Sequence, residues 1–351
     1  ELGDVQMHAE DYRDNPSIYT RIEKPGALLT QFDALRYPAS GRLLGGGLVA
    51  AGESSAGASI RGVDIQRDAK VSEIYRHVAQ GTWLDPADPQ GVVVGRRLAR
   101  TLGIKPGDEL VVLSQATDGS LANDLFTLRG VLEGVSDGTD RGGVFMTAEA
   151  FRAFFVLPEG VHQIIVRRPP HLELTATVRT VRDLAPDLDV RTWRELMPTL
   201  ASLLDSARGV IQIVFFIVYI AIAILILNAM LMAVFERIRE FGVLKALGVE
   251  PGRVLTLILV ESGLQTGFAI LVGLTLSVPG LWYLTEVGID TGRLGGVSMM
   301  GIAFTSIWYA VVTPTTFMGP VLTLVFIVFI AVLYPAFKAA RISPVEAMRH
   351  Q

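Results

Sequence analysis

The stretch Glu236-Arg237-Ile238-Arg239-Glu240-Phe241-Gly242-Val243-Leu244-Lys245-Ala246-Leu247-Gly248-Val249-Glu250-Pro251-Gly252-Arg253 is a short charged segment between two long apolar runs. Gly209 to Phe235 before it contains no charged residue, and Val254 to Leu284 after it contains only Glu261. Each run exceeds the roughly 20 residues that an α-helix needs to cross the hydrocarbon core of a bilayer. The segment is therefore expected to form a tight loop on one membrane face. Arg237, Arg239, Lys245 and Arg253 place that face in the cytoplasm by the positive-inside rule.

The loop also carries a helical pattern. Phe241, Leu244 and Leu247 fall at helical spacing and are expected to share one apolar face. Gly248 suits a helix C-terminus, and Pro251-Gly252 suits a turn. A short apolar-faced helix at the membrane surface has two readings: it inserts into a groove on a soluble partner, or it rests on lipid headgroups.

The motif E-F-G-V-L-K-A-L-G between two membrane runs resembles the loop of the FtsX/MacB-type ABC transporter permeases. The chain end, Tyr334-Pro335-Ala336 through Ala339-Ala340-Arg341-Ile342-Ser343-Pro344-Val345-Glu346-Ala347-Met348-Arg349, resembles the C-terminus of the same family. The resemblance implies that Glu240, Phe241, Gly242, Val243, Leu244, Lys245, Ala246, Leu247 and Gly248 form a coupling helix. That helix would be seated on a separate cytoplasmic ATPase subunit, which binds ATP and Mg. This chain itself is then expected to hold no cofactor.

Composition limits the alternatives. The 351 residues are half hydrophobic, with a formal charge of only −4, which argues against a nucleic-acid binder. Residues 1–208 read as a soluble domain, with charges throughout and no long apolar run. No cysteine occurs, so no disulfide or thiolate metal site can form. If the Glu236 loop is cytoplasmic, residues 1–208 lie on the other side and require an export signal. A signal-anchor helix preceding Glu1 is therefore expected. The resemblance implies the same plan: one helix, a large periplasmic domain, then three helices.

Along residues 1–208, Glu1 to Tyr37 is polar and is read as leading out from that anchor. Ser40 to Gly62 predicts short strands joined by loose turns. A helix is predicted over Ala69 to Gln80. Val92-Val93-Val94-Gly95 reads as a strand opening a helix from Arg96 to Leu102, and Lys105-Pro106-Gly107-Asp108 turns into a strand from Glu109 to Leu113. Further strands are predicted over Phe126–Val135, Val144–Met146 and Ile164–Val166. Thr147 is read as the N-cap of a helix through Phe155, and Glu173 to Leu184 as an amphipathic helix. The result is a mixed α+β domain. The unit V-V-V-G-R-R-L-A-R-T-L-G-I-K-P-G-D-E-L-V-V, with I-R-G-V-D upstream, resembles the periplasmic domain of the lipoprotein-releasing permeases.

The expected order is a periplasmic α+β domain over 1–208, ending in a stalk helix from Thr192 that Pro198 kinks or breaks. A transmembrane bundle follows, with spans at 209–235, 254–285 and 317–338. The coupling loop 236–253 and the tail 339–351 are cytoplasmic. The region 286–316, which carries no charge after Arg293, is read as an extracytoplasmic apolar loop or a partly embedded hairpin over 295–312.

No enzyme chemistry stands out. There is no G-x-x-x-x-G-K-[ST] and no H-E-x-x-H, and Gly45-Gly46-Gly47 reads as a flexible turn. His8, His77, His162, His171 and His350 are scattered and do not predict a metal site. Gly52 to Gly57 lacks the G-x-S-x-G spacing of a nucleophile elbow. No catalytic residue is assigned. Glu261 is the notable charge, about two turns inside its apolar run, with Gln265 at i+4 on the same face. It either pairs toward the cytoplasmic loop near Arg253 or snorkels to headgroups. Gly263-x-x-x-Gly267 permits close helix approach. Phe215, Phe216 and Tyr219 are candidate lining residues for an amphipathic substrate, or face lipid. The resemblance implies a second permease copy as partner. It leaves three functions open: release of lipoproteins from the inner membrane, MacB-like export with a periplasmic adaptor, or FtsX-like activation of a cell-wall hydrolase.

Overall fold

The computed structural model describes residues 3–170, 172–290, 298–299, 302–303 and 307–341. The chain divides into two compact units, one of Glu1–Ala201 with Gly296–Phe304 and the other of Ser202–Gly295 with Thr305–Gln351.

The first unit is mixed α/β. Its strands are β1 (Val5–Ala9), β2 (Ala39–Ala51), β3 (Ser54–Val63), β4 (Val78–Gly81), β5 (Gly91–Gly95), β6 (Glu109–Gln115), β7 (Leu121–Leu132), β8 (Gly143–Thr147), β9 (Gln163–Val166) and β10 (Leu188–Thr192). Its helices are α1 (Pro25–Ala34), α2 (Ile65–Val71), α3 (Arg96–Leu102), α4 (Asp137–Gly142), α5 (Ala148–Phe155), α6 (Leu174–Leu184) and α7 (Trp193–Leu196). The strand order is β10-β1-β9-β2-β3-β8-β5-β7-β4, and β6 pairs with both β2 and β7. The pairings of β2, β3, β8, β5, β7 and β6 therefore close on themselves as a barrel, while β10, β1 and β9 extend as an open sheet from β2.

Strand β2 belongs to both sheets. Residues Ala39 to Arg42 pair with β9, and Leu48 to Ala50 pair with β6. The Gly45-Gly46-Gly47 run lies between these two halves, inside the strand. It is not the flexible turn the sequence suggests. At Gly47 an added Cβ would lie 2.5 Å from the Leu113 carbonyl oxygen, so a side chain there would prevent the approach that closes the barrel. Ser40 to Gly62 is accordingly one long antiparallel hairpin, β2–β3, turning at Gly52-Glu53, and not several short strands.

The barrel core is filled from α3 and α5. Thr147 Oγ1 accepts the Ala150 N–H at 3.1 Å, capping α5, whose Phe151, Phe154 and Phe155 are buried. The predicted helix over Ala69–Gln80 is replaced by α2, a short 3₁₀ turn at Ile74–His77 and strand β4. Asp64 caps α2 by accepting the Gln66 and Arg67 N–H groups, and the chain turns extended at Ser72, ending the helix early. Glu1 to Tyr37 is not simply a lead: it contributes β1 and α1.

A buried polar network ties these pieces together. Arg42 Nε and Nη2 donate to Asp68 Oδ1 and Oδ2 at 2.7 and 3.1 Å, joining β2 to α2. His8 stacks on Tyr12 at 4.8 Å, and His162 Nδ1 accepts the Leu44 N–H at 3.0 Å. Burial is the main cause that lowers the His8 pKa to about 4, helped by Arg13, and burial lowers His162 as well. His171 and His350 lie outside the described residues.

The second unit is helical: α8 (Pro198–Glu236), α9 (Ile238–Ala246), α10 (Pro251–Glu286) and α11 (Pro314–Arg341). Between α10 and α11 lie β11 (Ile289–Asp290), β12 (Ser298–Met299), β13 (Ile302–Ala303) and β14 (Ile307–Trp308), which form two short ribbons, β11–β14 and β12–β13. Among the described residues three helices are long and apolar enough to cross a membrane: α8, α10 and Thr316–Arg341 of α11. The predicted stalk resolves into α7 and the start of α8. Thr192 and Glu195 form a capping box on α7, and the helix breaks at Met197 so that Pro198 opens α8. Pro251 likewise occupies the first turn of α10 and does not form a separate turn. Within the region 295–312, residues 295–297, 300–301 and 304–306 lie outside the described residues, as does the tail motif beyond Arg341.

Candidate functional site

The site is α9 with the helix ends around it. Arg237 interrupts the α8 path with non-helical backbone angles (φ −102°, ψ 13°), and α9 starts at the next residue. Its far end closes at Gly248, whose φ of +93° is a left-handed conformation that favours glycine. The Gly248 and Val249 N–H groups donate to the carbonyls of Lys245 and Leu244.

Three contacts fasten α9 to its own bundle. Phe241, 4% exposed, enters a core cluster with Val254, Ile258, Val332 and Ala336, and Leu244 packs against that cluster. Arg237 Nη1 donates to both Glu261 carboxylate oxygens at 2.9 and 2.8 Å, its Nε donates to Glu240 at 3.0 Å, and its guanidinium lies 5.6 Å from the Phe241 ring centre. Its hydrogen bonds to those two carboxylates, Glu240 first, raise the Arg237 pKa further. Lys245 Nζ donates to the Ala340 carbonyl in the last turn of α11, where a cation meets the negative end of the helix dipole. Desolvation lowers the Lys245 pKa.

The structure therefore divides the expected Phe241–Leu244–Leu247 face. At about 100° per residue these three spread over a wide arc, so Phe241 and Leu244 turn inward while Leu247 is 78% exposed. Val243, one turn before Leu247, is 50% exposed and shares its side. The outward surface of α9 is thus Val243, Ala246 and Leu247, flanked by the exposed Arg239 and Glu240. Gly242 is buried beneath it. The i, i+4 spacing of Val243 and Leu247 was a signal available in the sequence. Lys245 is not on a polar outer side, because its ammonium reaches across to α11.

Glu261 meets Arg237 and not Arg253, which is exposed and only 4.0 Å from Glu250. Gln265, one turn further along α10, lines an apolar groove of about 600 Å³ between α8, α10 and α11, with Ile222, Met230, Thr266 and Val328 among its walls. Phe215 and Phe216 are exposed and Tyr219 is half-buried; Phe215 and Tyr219 lie 6.3 Å apart, ring to ring, and do not line that groove. Gly263 and Gly267 face open space. Among the described residues no group of His, Asp or Glu is arranged to hold a metal ion.

The chain thus carries a mixed α/β domain and three membrane-grade helices, with a short pinned helix between the first two. Two family models match it: the FtsX-like permease C-terminal model over residues 212–344, and the MacB-like periplasmic core domain model over residues 11–184. A lipoprotein-releasing system transmembrane protein LolC from Xylella fastidiosa (strain 9a5c) is 27% identical over 316 residues, covering 86% of this chain and 75% of that protein. A macrolide export ATP-binding/permease protein MacB from Chlorobaculum tepidum is 39% identical over 129 residues, covering 36% of this chain and 17% of that protein. The crystal structure of the periplasmic region of MacB from Actinobacillus actinomycetemcomitans aligns with a TM-score of 0.42 at 13% identity, over 57% of this chain and 94% of that one. The chain belongs to the ABC transporter permeases of the FtsX/MacB type.

Proposed function

We propose that this chain is the membrane subunit of an ATP-driven transporter that releases lipoproteins from the bacterial inner membrane toward the outer membrane. A separate cytoplasmic ATPase binds ATP and Mg and seats on Val243, Ala246 and Leu247 of α9. A second permease copy, identical or related, completes the complex. The first unit stands in the periplasm and works on the amphipathic substrate. The observation that carries this reading is the extent of the relationship to the LolC relative, which covers 86% of this chain.

MacB-like export of peptides or drugs is the second reading, favoured by the match of residues 11–184 to the MacB-like core. The test reconstitutes the chain with its ATPase in proteoliposomes carrying a lipoprotein in acylated and non-acylated forms. ATP-dependent release of the acylated form alone is expected. Equal release of both forms, or export of a soluble drug with no lipoprotein release, overturns the lipoprotein reading.

A further inference from the structure

The connection from α10 to α11 folds back on the end of α10. The Val287 and Gly288 N–H groups both donate to the Tyr283 carbonyl and so end the helix. Gly288, at φ +72°, turns the chain into β11, which pairs antiparallel with β14: Ile289 stands opposite Trp308, and Asp290 opposite Ile307. A Cβ at Gly288 would lie 2.7 Å from Ile307 Cγ2 and 2.8 Å from the Trp308 carbonyl oxygen, so the close approach of the chain here needs glycine. The Ala310 N–H then donates to the Leu284 carbonyl at 2.9 Å, which fastens the chain after β14 to the last turn of α10.

These bonds gather aromatic rings at one level. Trp282 and Tyr283 on α10, with Trp308 and Tyr309 beside them, are each more than half exposed, and Val287, Ile289, Val311 and Val312 are exposed as well. Helix lengths set that level. From Arg253 to Trp282 α10 rises about 43 Å at 1.5 Å per residue, and α11 rises about 40 Å from Pro314 to Arg341. A bilayer measures about 40–45 Å with its headgroup layers included. With Arg253 and Arg341 at the headgroups on the side of α9, the four rings fall at the headgroups of the other side. A tilt of about 20° shortens the α10 path by only ~3 Å.

Trp and Tyr concentrate at this depth because a ring can face acyl chains while its N–H or O–H meets water and lipid carbonyls. The backbone points to the same layer. Among the described residues β11 and β14 form a two-stranded sheet, so each strand keeps an outer edge with no further strand on it. Such edges are not tolerated facing lipid within the hydrocarbon core. The exposed rings and aliphatic side chains argue equally against bulk water. The glycerol and headgroup layer satisfies both, and it is continuous with the lipid around the membrane-grade helices.

We propose that the β11–β14 ribbon, with Trp282, Tyr283, Trp308 and Tyr309, is an interfacial anchor that binds the phospholipid glycerol and headgroup layer on the membrane side opposite α9. With α9 in the cytoplasm this is the outer leaflet. The anchor holds the depth of α10 and α11 at their ends away from α9, whatever substrate the chain moves.

The experiment uses the full chain in liposomes. Single-tryptophan versions keep Trp282, Trp308 or, as control, Trp83 of the first unit, with the remaining tryptophans changed to Phe. Quenching is measured with phospholipids brominated on the acyl chain near the glycerol or near the bilayer midplane. Trp282 and Trp308 should be quenched about twofold or more better by the first lipid than by the second, and Trp83 by neither. Gly288→Val should release the ribbon, cutting the quenching of Trp308 severalfold while that of Trp282 stays. Trp308 quenching no greater than that of Trp83 would place the ribbon in water or against a protein partner and overturn the anchor. So would strongest quenching by the midplane bromines, which describes a re-entrant segment, or Trp308 quenching indifferent to Gly288→Val. A nitroxide on Ile307→Cys, unique because the chain has no cysteine, reads the same depth with all four tryptophans in place, from its accessibility to oxygen and to a water-soluble nickel complex. Accessibility typical of bulk water or of the midplane again overturns the anchor. ATP-driven lipoprotein release is measured separately and stands or falls independently of this depth.

Discussion

Leu247→Asp separates a docking helix from a helix that merely rests on lipid. Leu247 is 78% exposed in the chain alone, so the substitution leaves the bundle's own core untouched. If an ATPase groove covers it, the wild-type leucine contributes about 1–2 kcal/mol, somewhat less than full burial of such a side chain. An unpaired carboxylate in the same groove costs a further ~2 kcal/mol or more. At about 1.4 kcal/mol per tenfold in affinity, the ATPase should bind on the order of a hundredfold more weakly. Leu244→Asp serves as the contrast, because Leu244 packs against the cluster of Phe241, Val254 and Val332. It should lower the thermal stability of the purified permease itself. The assay is ATPase affinity in nanodiscs, with melting measured on the permease alone. Affinity within twofold of wild type for Leu247→Asp, with transport intact, would refute docking through this surface.

Three further outcomes follow from other contacts. Glu261→Gln and Arg237→Gln should each reduce substrate-stimulated ATP hydrolysis severalfold with normal assembly, and the exchange Arg237→Glu/Glu261→Arg should recover part of it; no recovery would assign the pair a merely local role. Asp68→Ala leaves buried Arg42 without its carboxylate and should destabilise the first unit by about 3–5 kcal/mol, read from denaturant midpoints monitored by tryptophan fluorescence. His8, held neutral with a pKa near 4 against an ordinary 6.5, takes up its proton more readily unfolded than folded, so stability should fall as pH drops from about 6.5 to about 4, by up to ~3 kcal/mol, and His8→Gln should flatten that window.

The elements readable from the sequence are those whose cause is local. Thr147 caps its helix through a hydroxyl three residues from its partner, and the charge-free runs demand helices whatever surrounds them. The misread elements are those decided at a distance. Gly45 to Gly47 carries a turn composition, but what fixes it as strand is the approach of Leu113, more than sixty residues away. The helix expected over Ala69–Gln80 stops at Val71, and its later residues are taken by β4, which pairs with β7. The partner of Glu261 is Arg237, in the break between α8 and α9, and spacing within α10 points only to Arg253. Within α9, apolar residues at i, i+3 and i+6 suggested a single face, yet which of them turn inward depends on where α10 and α11 stand.

The fastening of α9 also bears on how work done by an ATPase would be used. A loop tethered only at its ends would absorb a displacement by bending. Here α9 is fixed to α10 through Phe241 and the Arg237–Glu261 pair, and to α11 through the Lys245–Ala340 contact, so a push on Val243 and Leu247 moves those helix ends together. The 39 residues of α8 extend about 58 Å at 1.5 Å per residue, against a hydrocarbon core of about 30 Å. A span over 209–235 would leave residues 198–208 of α8 continuing beyond the bilayer as the same helix, without an internal proline between Thr199 and Glu236. Lengthening that path by inserting a flexible Gly-Ser pair after Arg208 should leave ATPase binding intact while uncoupling hydrolysis from release. Full release with the insertion in place would show that the motion reaches the periplasmic unit by another route.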